Sequence, residues 1–152
     1  MEFVVNNLKY TTITETTVSC GGNGTWTGPL TIPSTVTYDG TTYSVTHISQ
    51  GGFQNYTGIT SLVISEGVTT LQRNAFYGCS GIESVSFPSS LVYFDESAFQ
   101  DAFSDNIETI VFPAFVNTIN TYAFASASVK KVEFLGSTVP ETVSQPWGIN
   151  HA

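Results

Sequence analysis

Few residues in this chain could act together as a nucleophile and a base. The only cysteines are Cys20 and Cys79, and the only histidines are His47 and His151. Nucleophilic catalysis needs a base within hydrogen-bond reach of the nucleophile, but His47 directly precedes an apolar position and His151 is the penultimate residue. Zinc needs three or four ligands at suitable spacing, which this sequence does not offer. We therefore predict no catalytic residue, no metal site and no cofactor, and we expect the chain not to be an enzyme.

An acidic run, DESAFQDAFSDN, is the other stretch that suggests binding chemistry. It places Asp95, Glu96, Asp101 and Asp105 close together in the sequence, and Glu108 follows them. Two functional interpretations are a calcium site and a landing patch for a basic partner. The D-x-D-x-D-G core of the common calcium loop is absent, so we expect a solvated loop face instead.

The charge balance disfavours several kinds of partner. The formal net charge is −8, and the only cationic side chains are those of Lys9, Arg73, Lys130 and Lys131. Nucleic-acid binding needs clustered Lys and Arg to replace phosphate counterions, so we predict no nucleic-acid partner. Anionic membrane surfaces are disfavoured for the same reason. The longest apolar run, TIVFPAFV, is too short to span a bilayer, so we also predict no membrane insertion.

The composition suggests where the protein works. Only 11% of residues are charged, against about 25% in an average soluble protein. The polar surface must therefore be built mostly from Thr, Ser, Asn and Gly, as is common outside cells. The first residues do not have the basic region and apolar stretch of a secretory signal. We expect an extracellular or cell-surface location, with the signal peptide absent from this sequence.

An internal repeat organises most of the chain. Phe53, Phe76, Phe99 and Phe124 follow one another at intervals of 23, 23 and 25 residues. Other apolar positions recur at matching intervals when the two extra residues of the third copy are taken into account. The repeating unit reads I-x-x-L-x-I-P-x-x-V-x-x-I-x-x-x-A-F-x-x-C. We expect the recurring apolar positions to form one core, and they include Phe53, Ile64, Leu71, Phe76, Cys79, Phe87, Phe99, Phe112 and Phe124.

Each part of the repeat predicts a local structure. The segment I-x-x-L-x-I alternates like a short strand, and Pro33, Pro88 and Pro113 follow such segments and end them because proline cannot donate a ladder hydrogen bond. We expect V-x-x-I to form a corner and A-F-x-x-C a turn or helical turn. One unit cannot bury its own apolar face, so stacked units should align their strands as a parallel sheet along one side of a curved solenoid.

The repeat also divides the chain into parts. Residues 1–27 alternate over short β-rich runs, and we expect a small N-terminal β cap that covers the first coil. Residues 28–139 hold the repeats, and the first copy is expanded by a hairpin over 36–45, since Asp39-Gly40 is a strong hairpin signal. Residues 140–152 are either a C-terminal tail or the start of a C-terminal cap.

The column that contains Cys79 indicates what this cysteine does. The equivalent positions hold Tyr56, Ala102 and Ala127, and a column that accepts Tyr, Cys and Ala is a packing position, because buried Cys behaves as a small hydrophobe. We expect Cys79 to be buried and reduced. A disulfide between Cys20 and Cys79 is the alternative, since no sequence rule forbids it.

The repeat resembles the leucine-rich repeats of the BspA-like surface proteins. The resemblance covers roughly residues 28–139, and the best copy carries it at Ile64, Val68, Leu71, Ala75, Phe76 and Cys79. Gly52 in place of Ala and Ser65 in place of Pro are departures from the pattern. The resemblance implies a mainly β (α/β-type), right-handed leucine-rich-repeat solenoid with a parallel sheet on one face. It also implies adhesion to host cells or matrix.

The outward positions of the strands are the candidate binding surface for a protein partner. By the repeat phase these are Thr31, Ser61, Val63, Ser84, Ser86, Thr109, Val111, Lys131 and Glu133. We expect a non-enzymatic binding or adhesion module that presents this curved face. One alternative is a carbohydrate-binding module that stacks sugars on Trp26, Trp147, Tyr10 or Tyr77. The other is a passive structural spacer.

Overall fold

The computed structural model describes residues 1–137 and the strand Glu141–Thr142. It contains no helix in these residues. The remaining residues, which carry Trp147, His151 and most of the segment 140–152, lie outside the described part of the chain. The strands are β1 (Glu2–Val5), β2 (Leu8–Thr12), β3 (Thr17–Gly22), β4 (Gly28–Ile32), β5 (Thr35–Tyr38), β6 (Thr41–Ile48), β7 (Ile59–Ile64), β8 (Thr70–Leu71), β9 (Ser84–Ser86), β10 (Tyr93–Phe94), β11 (Thr109–Phe112), β12 (Thr118–Ile119), β13 (Lys131–Phe134) and β14 (Glu141–Thr142).

The I-x-x-L-x-I segments form parallel strands that stack from coil to coil. In β7, Ile59, Leu62 and Ile64 are buried while Val63 between them is exposed, as the pleat of a strand requires. β4, β7 and β9 pair in parallel as one sheet, and β11 and β13 pair in parallel as another. The predicted solenoid of stacked parallel strands is therefore confirmed.

The V-x-x-I step is a strand, where the sequence led us to expect a corner. β8, β10 and β12 are two residues long and pair in parallel, in register, with β6 at one end and β14 at the other. Except between β9 and β11, consecutive coils are thus held together by strands on two different sides of the core. Each of these strands is one Thr or Tyr followed by one buried Leu, Phe or Ile. Two residues are too few for the alternation of a strand to be recognised in the sequence.

The A-F-x-x-C segment is a non-helical turn that hydrogen-bonds to the next coil. The backbone N–H groups of Asn74, Phe76 and Gly78 donate to the carbonyl oxygens of Glu96, Ala98 and Gln100 at 3.1, 2.8 and 2.8 Å. Asn74 and Gly78 have positive φ values of 58° and 74°. Because every second N–H group donates to the neighbouring coil, these groups cannot make the i→i−4 hydrogen bonds of an α-helix.

Phenylalanine rings run through the core as a continuous stack. The centroids of Phe53 and Phe76 are 5.1 Å apart, those of Phe76 and Phe99 5.0 Å, and those of Phe99 and Phe124 5.5 Å, with nearly parallel planes. All four rings are at most 1% exposed. Ile64, Leu71, Cys79 and Phe112 are buried in the same core, while Phe87 is half-buried against it.

The N-terminal cap extends the sheet that contains β8, β10 and β12. β1, β2 and β3 are antiparallel to one another, and β3 pairs in parallel with β6. Gly21 and Gly22 allow this close contact, because a side chain on Gly22 would run into the ring of Tyr56 and one on Gly21 would press on the backbone of Gly52. The predicted β cap is confirmed. Within the described residues its strands do not pair with β4, so they do not extend the β4 sheet.

The first coil carries a hairpin that the later coils lack within the described residues. β5 and β6 are antiparallel, with Tyr38 opposite Thr41. The two residues between them, Asp39 and Gly40, have φ values of 49° and 77°. Two successive positive φ values are the geometry of the type I′ turn, which Asp-Gly favours.

Candidate functional site

The outward residues of β4, β7, β9, β11 and β13 form two rows across the coils, which we call the strand face. In the first row Thr31 is opposite Val63, and Val63 is opposite Ser86. The row continues on the second sheet, where Val111 is opposite Glu133. The second row contains Ser61 opposite Ser84 and then Thr109 opposite Lys131. Ser61 and Thr109 are half-buried, and the other members named here are exposed.

The strand face is divided between β9 and β11. Within the described residues β9 pairs only with β7 and β11 only with β13. Val85 and Phe87, which should point into the core, are half-buried, although the equivalent Leu62 and Ile64 are 1% and 2% exposed. The opening therefore exposes part of the apolar core to solvent in the middle of the strand face.

This opening is an apolar groove of about 380 Å³. Val85 and Phe87 belong to one side of the division, and Val111, Pro113 and Leu135 to the other. Its full lining is Val85, Ser86, Phe87, Ser89, Val111, Pro113, Ala114 and Leu135. Sequence reasoning missed the groove, although a signal was present. The copy that ends before β11 has 25 residues instead of 23, and the additional length lies between Phe99 and β11.

One ion pair and one hydrogen-bonded carboxylate link neighbouring coils near this surface. Lys130 Nζ lies 3.6 Å from Glu108 Oε1, and both side chains are well exposed. Glu66 Oε1 accepts hydrogen bonds from the backbone N–H and the hydroxyl of Ser89, at 2.8 and 3.0 Å. These hydrogen bonds hold the pKa of the Glu66 carboxyl below its ordinary value. Glu66 is therefore charged at neutral pH and fixed beside a residue that lines the groove.

Both cysteines are buried free thiols, so the disulfide alternative is wrong. The Sγ of Cys79 donates to the carbonyl oxygen of Phe53 at 3.0 Å. Burial raises the pKa of each thiol to about 12. A thiol that stays protonated and inaccessible at neutral pH does not act as a nucleophile.

His47 and the acidic run do not assemble a reactive or metal site in the described residues. His47 lies in β6 beside β3 and β8, its Nδ1 is 2.9 Å from Thr46 Oγ1, and burial lowers its pKa. Glu96 pairs with Arg73 at 3.0 Å, while Asp95 accepts from Asn120 Nδ2 at 3.3 Å. No group of three or more His, Cys, Asp or Glu in the described part of the chain could hold a metal ion.

The aromatic residues proposed as sugar-stacking platforms have different environments. Tyr10 is 2% exposed in the cap core, so its ring is closed to a sugar from solvent and that expectation is wrong. Tyr77 is half-buried. Trp26 is half-buried against the core, and its Nε1 donates to the carbonyl oxygen of Pro29 at 3.0 Å. Trp147 lies outside the described residues.

Comparison with known protein families identifies the repeat. Residues 30–142 match six copies of the BspA type leucine rich repeat region. The chain belongs to this family. The match covers all the residues of the strand face in this BspA-type protein, from Thr31 to Glu133, and leaves out the cap strands. The resemblance seen in the sequence is thus confirmed. Among curated proteins none matches the chain.

Solved structures share the fold of this BspA-type chain. A leucine-rich repeat protein from Bacteroides capillosus is 25% identical with a TM-score of 0.75, over 89% of this chain and 99% of that one. The pneumococcal vaccine antigen PcpA is 26% identical with a TM-score of 0.74, over 94% of this chain and 40% of PcpA. A leucine rich cell surface protein from Faecalibacterium prausnitzii is 21% identical with a TM-score of 0.66, over 88% and 42% of the two chains. This chain therefore spans less than half the length of the latter two proteins.

The structure also bears on membrane spanning. Within the part of the chain that it describes, no helix has the length and apolar character needed to cross a membrane.

Proposed function

We propose that this protein is a non-enzymatic binding module, exposed at the cell surface or secreted, which presents its strand face to a protein partner. The observation that carries the proposal is the pair of outward rows across β4 to β13, which the core does not use. These rows combine small polar residues with the exposed apolar side chains of Val63 and Val111, 43% and 39% exposed. Affinity would come from area and shape, as in ordinary protein interfaces.

The family supports this proposal without identifying the partner. Leucine-rich repeats of the BspA type build a scaffold whose repeat columns are occupied by packing residues, so function must lie in the exposed positions. PcpA is described as a vaccine antigen, and an antigen must be accessible to antibodies. An exposed location for the present chain agrees with its low content of charged residues.

A bead-adhesion assay tests the proposed function. Beads that carry the protein are incubated with immobilised matrix proteins, and the assay is repeated after Ser61, Ser84 and Thr109 are changed together to Lys. These three residues lie in the second row of the strand face, so three large cations should obstruct a partner there and reduce adhesion. Unchanged adhesion would remove the strand face as the binding surface, and no adhesion by the wild-type protein would favour a spacer.

One observation favours carbohydrate binding as a second candidate function. Trp26, Tyr56 and Asn55 line a recess of about 240 Å³ between the cap and the first turns. Aromatic faces beside polar groups suit sugar rings, although the hydrogen bond from Trp26 to Pro29 holds its ring in the fold. A glycan array identifies any ligand, and Trp26→Ala should abolish that signal. A signal that survives Trp26→Ala would eliminate this recess.

A further inference from the structure

The groove between β9 and β11 differs from the rest of the strand face in its chemistry. Elsewhere the strands are paired, and only small or polar groups and single valines face outward. Within the groove, Val85 and Phe87 form an apolar floor, and Val111 and Leu135, 39% and 60% exposed, stand at its side. Water in contact with these surfaces is displaced favourably by an apolar group of matching size.

The width of the opening decides which part of a partner can enter. A β-strand inserted between β9 and β11 would need them about 9.5 Å apart, twice the usual spacing of paired strands. The rings of Phe87 and Phe112 below the opening are only 6.1 Å apart. The coils are therefore too close for a strand to be inserted, and the groove has room for a side chain that projects from a segment lying across the face.

The charges around the groove decide which segment suits it. The four strand segments that flank it, 59–66, 83–89, 108–114 and 130–136, carry four carboxylates and two ammonium groups. One of these ammonium groups, on Lys130, already lies beside Glu108. Glu66 is tied to the groove residue Ser89, and Glu133 is next to Val111 in register. The surroundings of the groove are thus negative, as is the chain as a whole, and opposite charges steer and retain a partner.

We propose that the groove is the anchoring pocket of the strand face, and that it takes one aliphatic or aromatic side chain from an extended, basic polypeptide segment; this rests on the protein-binding function proposed above. The apolar side chain fills the opening over Val85 and Phe87. Lys or Arg residues on either side of it lie near Glu66 and Glu133. The pocket therefore concentrates affinity at the centre of an otherwise flat surface, where interface hot spots occur.

A peptide-display selection with two matched variants tests this proposal. A phage library of random peptides is selected on the whole wild-type chain, and the consensus peptide is synthesised with a fluorescent label. We expect a consensus in which Lys or Arg flanks one Leu, Ile, Val or Phe. Affinity is then measured by fluorescence anisotropy for the wild type, for Val111→Lys and for Val63→Lys. Both are exposed valines in one row of the strand face, but only Val111 lines the groove.

The proposal predicts that Val111→Lys weakens binding about tenfold or more, as expected when an apolar contact is lost and a like charge is added, while Val63→Lys changes it less than about threefold. Ser86→Tyr, which fills the groove from an exposed position, should give a similar loss to Val111→Lys. High salt should weaken binding by the wild type. Melting curves of all variants are recorded as the control that each is folded.

Results that would overturn the anchoring pocket can be distinguished from results that would overturn protein binding by the strand face. Equal losses in Val111→Lys and Val63→Lys would overturn the pocket but keep the strand face as the binding surface. An acidic consensus, or binding unaffected by all three variants, would overturn the pocket too. Bead adhesion that depends on Ser61, Ser84 and Thr109 but not on Val111 would also overturn the pocket. It would still support protein binding by the strand face.

Discussion

The rings of Phe87 and Phe112 stack across neighbouring coils with centroids 6.1 Å apart, whereas Phe112 and Phe134, one coil further on, are 4.9 Å apart. The coils of Phe87 and Phe112 still pair through β10 and β12 on the other side of the core. Their turns remain joined as well, since Ser97 N–H donates to Thr121 O at 3.1 Å. Within the described residues the solenoid is thus continuous along the sheet of β8, β10 and β12, and it opens only on the strand face.

The phenylalanine stack should dominate stability. Phe76 is 0% exposed and stacks on both Phe53 and Phe99. Phe76→Ala should lower the free energy of unfolding by about 3–5 kcal/mol, because a cavity is added to the lost burial. Phe115→Ala is the matched control, since Phe115 is 73% exposed, and it should change stability by less than about 0.5 kcal/mol. Urea unfolding measures both, and similar losses in the two variants would argue against the stack.

The thiols should be unreactive until the protein unfolds. Burial raises the pKa of Cys20 and of Cys79 to about 12 from an ordinary 9.0. A thiol reagent such as DTNB should therefore label neither cysteine in the native protein and both in guanidinium chloride. Because the folded pKa values are raised, their contribution to stability is complete below pH 9.0 and declines as the pH rises towards 12. Rapid native labelling of either cysteine would contradict the buried placement.

Tyr122 should be replaceable with a gain in stability. It occupies the repeat position of Asn74, and both have positive φ values, 57° and 58°. Asn tolerates this left-handed conformation better than a bulky aromatic residue. Tyr122→Asn should raise the free energy of unfolding by about 0.5–1 kcal/mol. Tyr77→Asn, at a half-buried tyrosine without positive φ, should bring no gain, so a gain in both variants would point to a cause other than the backbone.

The hydrogen bonds between Glu66 and Ser89 should make stability depend on pH. They lower the pKa of Glu66 below its ordinary value of 4.5, so the charged carboxylate stabilises the folded chain above pH 4.5. This contribution is lost as the pH falls through the lowered folded pKa. Urea midpoints of wild type and Glu66→Gln should therefore differ at neutral pH and converge in acid. A difference that persists at the lowest pH would assign the effect to packing.

The repeat could be predicted from the sequence because its evidence is redundant. Apolar columns such as Phe76 and Leu71 recur in several copies, and their common spacing identifies both the solenoid and the core. The same redundancy predicts that Cys79 is a packing residue, since Ala102 and Ala127 occupy its column. The sequence does not decide between a turn and a helical turn after Ala75, because the N–H groups there donate to the next coil and no local pattern shows this.

The repeat pattern could not predict that the strand face is divided between β9 and β11. Val85 and Phe87 are apolar like their counterparts Leu62 and Ile64, and the alternation of the strand gives no reason for their exposure. Only the longer interval before Phe124 distinguishes this copy, and a change in length does not say which pair of strands separates. The exposed rows themselves follow from the period of two, but which of them bind depends on the partner and is not encoded in the repeat.

The central claim is that the strand face binds a protein partner. The most direct measurement is the dissociation constant, by surface plasmon resonance, of the matrix protein selected in the adhesion assay. It compares the variant with Lys at Ser61, Ser84 and Thr109 with a charge-matched variant with Lys at Thr35, Thr37 and Thr41, which are exposed on β5 and β6. The account predicts a loss of about tenfold or more only in the first, where large side chains block the interface. Equal affinities of the two variants would contradict it.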